Sequence, residues 1–231
     1  MQTLDLYAQI EQYLDFEDEI EELYKIIGTI VISKEPKTLI DIGCGQGEFC
    51  HILEHNGIKT LGVDLSPKQI EIAKQKGIDT KCIDIKDIDD IYDCATATFD
   101  VINYIDNKNI QNFIKNVSKL VKTGGYFIFD INSLFGFEEI AQGTLSIDKE
   151  DKFISIDANF QNNTLFTNIT LFTKENKFYK KQNGTIKQYY YTNEELKKIL
   201  QVHSFKVEEI IDFNLHSDSD PDKFIYVCKK V

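Results

Sequence analysis

Between Thr38 and Asp64 the chain changes its hydrophobic period twice around a turn studded with glycines. "TLIDI" is an apolar run of strand length. Gly47 to His55 places Phe49, Ile52 and Leu53 at helical spacing, and "IKTLGVDL" is strand-like again. A strand, a crossover helix and a second strand make a parallel pair, and a parallel sheet needs helices on both faces. The alternation continues. Ser66 caps a helix with Pro67 at its first position, and Gly77 ends it. "DTKCIDI", "FDVINYI" and "YFIFDI" read as strands, Asn109 to Val121 as a helix and Gly124-Gly125 as a turn. The last two strands, "FKVEEIIDF" and "KFIYVCKK", are joined by the short polar run Ser217–Asp222, so they pair antiparallel. Seven strands in this arrangement predict an α/β fold, a Rossmann-like, doubly wound, mostly parallel sheet.

Two segments fall outside that alternation. Residues 4–32 read as one or two helices, with Leu14, Ile20, Leu23, Ile26 and Ile27 near helical spacing. From about residue 145 to 191 the period is two: Ile154, Ile156, Ala158 and Phe160, then Leu165, Thr167, Ile169 and Leu171. This predicts an antiparallel β insertion, with a hairpin turn at Asn183-Gly184. Thr192 and Glu195 form a capping-box pair that reopens the α/β pattern. The expected organisation is an N-terminal helical segment (1–36), a core built from 37–144 and 192–231, and the insertion at 145–191.

Composition narrows the partners. The net charge is -12, which disfavours a nucleic-acid partner. No apolar run reaches the length of a membrane span, and the acidic N-terminus has no leader pattern, so the expected location is cytoplasmic. The five cysteines lack a C-x-x-C pair and read as reduced thiols. The chain contains no arginine, so an anion would have to be held by lysines, hydroxyls or backbone amides. Lysines do cluster once, from Lys174 to Lys187, where Lys174, Lys177, Lys180, Lys181 and Lys187 face one acid, Glu175. They could guard a strand edge or steer an anionic small molecule.

The loop itself, "DIGCGQG", selects its ligand by charge. A dinucleotide fingerprint would place glycine at 48, where Glu48 stands, and Asp41 precedes the first glycine. Such a site suits a ligand with a cationic part, and S-adenosylmethionine is one. "LIDIGCGQG" resembles the nucleotide loop of the class I S-adenosylmethionine-dependent methyltransferases, and the resemblance continues through Asp64, "CIDIKDI", "LVKTGGYFIFDIN" and "YYYTNEELKKIL". The insertion and "LYAQIEQYLDF" are similar to sugar N-methyltransferases and glycine N-methyltransferase-like proteins, in which such segments cover the substrate and close as a lid.

The resemblance implies S-adenosylmethionine as cofactor and S-adenosylhomocysteine as product. It implies cofactor contacts from Tyr7, Tyr13, Asp41, Gly43, Cys44, Gly45, Asp64, Leu65, Asp84, Ile85 and Asn103, with Asp64 on the ribose hydroxyls and Asp84 on the adenine amino group. The acceptor is expected to be a small molecule bearing nitrogen or oxygen, and the chain a monomer or homodimer. "FDVINYI" runs almost directly into its helix, which leaves the catalytic residue open among Tyr104, Asp106 and Tyr189. The Asx-Pro-Pro-aromatic motif of DNA amino-methyltransferases is absent. No metal is expected: His51 and His55 sit at a helix end, and Asp106, Asp130 and Asn132 lack the spacing of magnesium ligands. Two other readings compete, a cofactor-holding module without catalysis and a nicotinamide oxidoreductase.

Overall fold

The computed structural model describes residues 2–14, 17–218 and 220–231. Two sheets organise it. The first has seven strands: β1 (Thr38–Ile42), β2 (Lys59–Asp64), β3 (Thr80–Cys82), β4 (Tyr92–Ala97), β5 (Val121–Asn132), β10 (Phe205–Phe213) and β11 (Lys223–Lys230). Their order is β10-β11-β5-β4-β1-β2-β3, with β11 antiparallel to both neighbours and the other pairings parallel. The second has four antiparallel strands in chain order, β6 (Gly143–Lys149), β7 (Lys152–Gln161), β8 (Thr164–Glu175) and β9 (Phe178–Tyr189).

Helices cover both faces of the larger sheet, as its continuous apolar strands require. On one face α2 (Glu17–Ser33) and α3 (Glu48–His55) bury Leu23, Ile27, Val31, Phe49 and Leu53. On the other, α5 (Ile110–Leu120) and α6 (Asn193–Val202) bury Ile110, Ile114, Val117, Leu196 and Leu200. Thr192 accepts from the Glu195 amide and receives the reciprocal carboxylate bond, the capping box read from the sequence. Ser66 likewise caps α4 (Pro67–Gln75) by accepting from the Gln69 amide. Among the described residues no helix is long and apolar enough to cross a membrane.

Three local expectations are corrected. "FDVINYI" is not the fourth strand. That strand is Tyr92–Ala97, and Val101–Tyr104 is a 3-10 turn. Phe99 and Asp100 both adopt positive φ (60° and 62°), which no strand tolerates, because Asp130 accepts both their amides, at 2.7 and 3.2 Å. The segment from β4 to α5 is therefore a full loop and not a truncated one. Gly124-Gly125 is not a turn that precedes the strand but lies inside β5, where a Cβ on Gly125 would meet the Asp93 carbonyl at 2.5 Å.

Asn183-Gly184 is likewise not a hairpin turn. The turns of the second sheet fall at Glu150-Asp151, at Asn162-Asn163 and at Asn176, the last three residues at positive φ, while Gly184 lies within β9. Gly184 is glycine for a different reason. The N-terminal helix α1 (Gln2–Ile10) lies on this sheet, and a Cβ at 184 would stand 2.9 Å from Thr3 Cγ2.

That helix separates the N-terminal segment into two parts. Leu6 and Ile10 of α1 are buried with Ile154, Ile169, Leu171 and Ile186 of the smaller sheet. Burying two such side chains contributes roughly 3–6 kcal/mol. α2, by contrast, belongs to the core of the larger sheet. Residues 1–36 are therefore not a uniform lid. Residues 15 and 16 of the lid motif lie outside the described residues.

Candidate active site

The carboxyl ends of β1, β2 and β4 open into a cavity of about 980 Å³, bounded on its far side by α1 and the four-stranded sheet. Open α/β sheets place their ligands at this edge. The glycine loop forms part of the floor. Gly43 must be glycine, since a Cβ at its φ of 73° would stand 2.5 Å from Val101 Cγ2. Gly45, at φ 53°, has nothing within 4 Å of where a Cβ would project, so its backbone is open to a ligand.

Asp64 ends β2 beside this loop. Its Oδ2 accepts from the Gly45 amide at 3.1 Å and its Oδ1 from the Ser66 amide at 2.7 Å. Each oxygen keeps a lone pair, enough for two hydroxyls. Burial raises the Asp64 carboxyl above its ordinary range, and the amides of Ser66, Gly45 and Leu65 oppose that shift. Asp84 caps the following 3-10 turn, accepts from the Lys86 amide at 3.0 Å and pairs with the Lys86 ammonium at 3.1 Å.

The roof is tied to the floor by polar contacts. Ser66 Oγ donates to Asp5 of α1 at 2.7 Å. Glu11 accepts from Gln69 at 3.0 Å and from Gln46 at 3.3 Å. Gln69, on the cavity wall, has a buried Oε1 without a partner among the described residues.

A second cluster sits where β5 ends and β11 begins. Lys223, 3% exposed, contacts Asp100 and lies 3.6 Å from Asp130 and 3.6 Å from Glu19, with Asn132 at 3.1 Å. Burial alone would lower the ammonium, but Asp100, Asp130 and Glu19 outweigh it and hold it raised. Burial raises Glu19, and Lys223 opposes it. Next to this cluster His216 Nδ1 lies 2.9 Å from Asp222 Oδ2, which also accepts the Leu215 and His216 amides at 2.8 and 3.0 Å. Asp222 is 4% exposed and, among the described residues, its buried Oδ1 has no partner. Sequence reading missed this pair. Its signal is the topology: the link from β10 to β11 returns to the ligand-bearing edge of the sheet.

The structure brings Tyr7, Gly43, Gly45, Asp64, Leu65, Asp84, Ile85 and Tyr104 to the cavity. Other expected residues do not line it. Asp41 is 0% exposed beneath the loop, where it accepts from Thr96 at 2.7 Å and from the Cys50 thiol at 3.6 Å. Burial pushes it up to about 7, against those two bonds. It does not face a ligand's ammonium. Cys44 packs with Cys50 and Ile70. Tyr13 receives Lys152 at 2.9 Å on the smaller sheet.

Asn103 is spent on structure: it donates to the Tyr189 carbonyl at 2.9 Å and accepts from the Asn132 amide at 3.0 Å. Tyr189 enters that contact through its backbone alone, and Asp106 caps the turn into α5 by accepting from Asn109. Tyr104 lines the cavity, where burial raises its phenol and Asp100 adds to the effect.

Glu48 pairs with Lys76 and stays off the cavity wall, so it is not the group that faces a ligand. The lysine run also lies elsewhere. Lys180 is 3.7 Å from Glu175, Lys181 sits over Phe172 and Lys187 over Phe166. The cavity-lining acids Glu11, Glu19, Asp64, Asp84, Asp100 and Asp222 face Lys86 and Lys223, both already paired. Asp106 is taken up by Asn109, Asp130 and Asn132 both lie against Lys223, and among the described residues no cluster of three or more His, Cys, Asp or Glu is placed to hold a metal.

A family model, Methyltransferase domain, matches residues 11–210. YqeM of Bacillus subtilis (strain 168) is 25% identical over 201 residues, spanning 81% of this chain and 80% of that one. A solved S-adenosylmethionine-dependent methyltransferase from Clostridium acetobutylicum ATCC 824 superposes with a TM-score of 0.79 at 23% identity, covering 99% of this chain and 98% of that one. The sugar N-methyltransferase KedS8 from Streptoalloteichus sp. ATCC 53650 superposes at 0.75 with 17% identity, covering 97% and 92%. At these identities the two superpositions establish the fold.

Proposed function

We propose that this chain, which belongs to the class I S-adenosylmethionine-dependent methyltransferases, methylates a nitrogen or oxygen of a small molecule. S-adenosylmethionine is its cofactor, and the chemistry of the cavity suits it. Asp64 offers two carboxylate oxygens beside the glycine loop, Gly45 leaves its backbone uncovered, and an acid-rich wall favours a sulfonium and an ammonium. Tyr7 and Glu11 stand on the roof above that loop. When bound, the cofactor supplies a methyl carbon to the acceptor's lone pair, and the electron pair of the broken carbon–sulfur bond stays on sulfur.

The observation that carries the reading is the continuity of that cavity. One cavity joins the glycine loop, Asp64 and Asp84 to a compartment walled by α1 and the four-stranded sheet. A cavity walled in this way admits a small molecule, and positioning of the two reactants can supply roughly 7–11 kcal/mol of the barrier. The chain's residues then have ordinary tasks: Asp64 and Asp84 orient the nucleoside, and the roof shields the reacting atoms.

The reading of a module without catalysis rested on a short loop after the fourth strand. That loop is full length, so its motive is gone. Calorimetry with S-adenosylhomocysteine, followed by a metabolite panel scored for S-adenosylhomocysteine release, tests the proposal. Tight binding with turnover of a small acceptor supports it. Absence of binding overturns it.

A further inference from the structure

We propose that His216 and Asp222 form the acceptor half of this cavity, a histidine–carboxylate pair that takes a protonated primary or secondary amine with an apolar body and removes its proton. This rests on the methyl-transfer reading above and names its substrate class. Both residues line the cavity, on its edge nearest β11.

The geometry has three parts. Asp222 is fastened: its amide donates to the Phe213 carbonyl at 2.9 Å, its own carbonyl accepts from the Ser133 amide at 3.0 Å, and Oδ2 accepts two backbone amides. That same oxygen lies 2.9 Å from His216 Nδ1, which keeps the proton on Nδ1 and leaves a lone pair on Nε2. Finally, Asp222 Oδ1 is buried on the cavity wall and, among the described residues, has no donor. A buried carboxylate oxygen left without a donor is costly, so a ligand that brings one gains affinity.

Two acceptors, Asp222 Oδ1 and His216 Nε2, therefore await N–H groups. A protonated primary or secondary amine has at least two to give, whereas an alcohol has one. A carboxylate acceptor has none and would meet the negative charge of Glu19 and Asp100 as well. The other charged groups facing His216 are Glu19 of α2, which it influences electrostatically, and Asp222. Ile140, Leu145, Ile156 and Leu165 line the same cavity and suit an apolar body. In the proton step the acceptor N–H bond breaks, its electron pair remains on nitrogen, and the proton bonds to Nε2. The resulting imidazolium is balanced by Asp222. His216 is the catalytic residue here, and Asp222 a positioning residue that sets its tautomer.

The test uses the full chain loaded with S-adenosylhomocysteine and three probes of matched shape: 2-phenylethylamine, 2-phenylethanol and 3-phenylpropionate. The four histidines are resolved by nitrogen NMR and binding is followed by calorimetry. The amine should shift the His216 ring nitrogens and bind at least about tenfold more tightly than the other two. Asp222→Asn should cost about tenfold in amine affinity, change the His216 tautomer and leave S-adenosylhomocysteine binding within about twofold. His216→Gln, at a half-exposed side chain, should lower labelled methyl transfer to the amine by about 10²–10⁴-fold. The inference is overturned if the alcohol or carboxylate binds as well as the amine, if millimolar amine leaves His216 unshifted, or if both variants retain amine affinity and transfer. Failure of the wild type to bind S-adenosylhomocysteine overturns the methyl-transfer reading instead.

Discussion

Asp64 and Asp41 are both carboxylates at the ends of neighbouring strands, yet their surroundings give them opposite tasks. Asp64 reaches the cavity with two oxygens partly free. Removing it by Asp64→Ala should weaken S-adenosylhomocysteine at least about tenfold, since hydrogen bonds to a charged group are worth about 1.5–3 kcal/mol. An unchanged dissociation constant by calorimetry would remove it from the site. Asp41 is sealed under the loop and acts on stability. Its carboxyl lies at about 7 in the folded chain, above the ordinary value. The folded state therefore holds a proton that the unfolded chain has released. That contribution is fully present below about pH 4 and is lost as pH rises through about 7, on the order of 4 kcal/mol at most. Asp93 has the opposite sign: its bond to Lys122, helped by the amides of Thr38 and Lys37, holds it down at about 2, so its contribution is lost as pH falls through that value. Asp41→Asn should flatten the decline in urea stability between pH 5 and pH 8. A variant with the wild-type decline would show that Asp41 is not its source.

At the scale of elements, α1 is the part whose position depends on one residue elsewhere. Gly184 on β9 leaves the space that Thr3 occupies. Gly184→Val should lift α1 from the sheet, expose the apolar contacts of Leu6 and Ile10, and weaken cofactor binding while the larger sheet keeps its melting cooperativity. Normal affinity in this variant would mean that α1 is not part of the binding surface. The same helix and the 3-10 turn that follows it (Glu11–Tyr13) are held to the larger domain by few polar bonds, Ser66 to Asp5 and the two glutamines on Glu11. Segments anchored so lightly come from the low-stability end of a fold. Amide exchange across residues 2–14 should slow when S-adenosylhomocysteine binds; equal exchange in both states would make α1 a permanent wall.

For the whole molecule, charge is the governing quantity. A net charge of -12 makes the folded chain repel itself, and the cavity concentrates part of that charge. Thermal stability should rise as salt is raised from 0.01 to 0.15 M, over which the Debye length falls from about 30 to about 8 Å. A melting temperature that falls or stays level over that range would mean the acids are individually compensated. The lysine run on the outer strands sits apart from the cavity wall, so its charge can guide a ligand only at long range.

What the chain reveals by itself is what short-range chemistry specifies. Three glycines between a strand and a helix, the caps at Ser66 and Thr192, and the change of period near residue 145 need no distant partner to be legible. The β1–β2 frame, the loop and the place of Asp64 follow from them. The rest depended on contacts across the fold. "FDVINYI" alternates like a strand, but Asp130, from a different strand, bends Phe99 and Asp100 into the left-handed region. The true strand, Tyr92–Ala97, is built of small residues because it lies in the centre of the sheet, where Cys94, Ala95, Thr96 and Ala97 are 0% exposed. Asn183-Gly184 has turn composition, yet the glycine is needed for the close approach of a helix that comes 181 residues earlier at Thr3. His216 and Asp222 lie in a polar run that reads as a solvated link. Only the antiparallel return of β11 brings them to the cavity, because a loop's chemistry is decided by the edge of the sheet on which it falls.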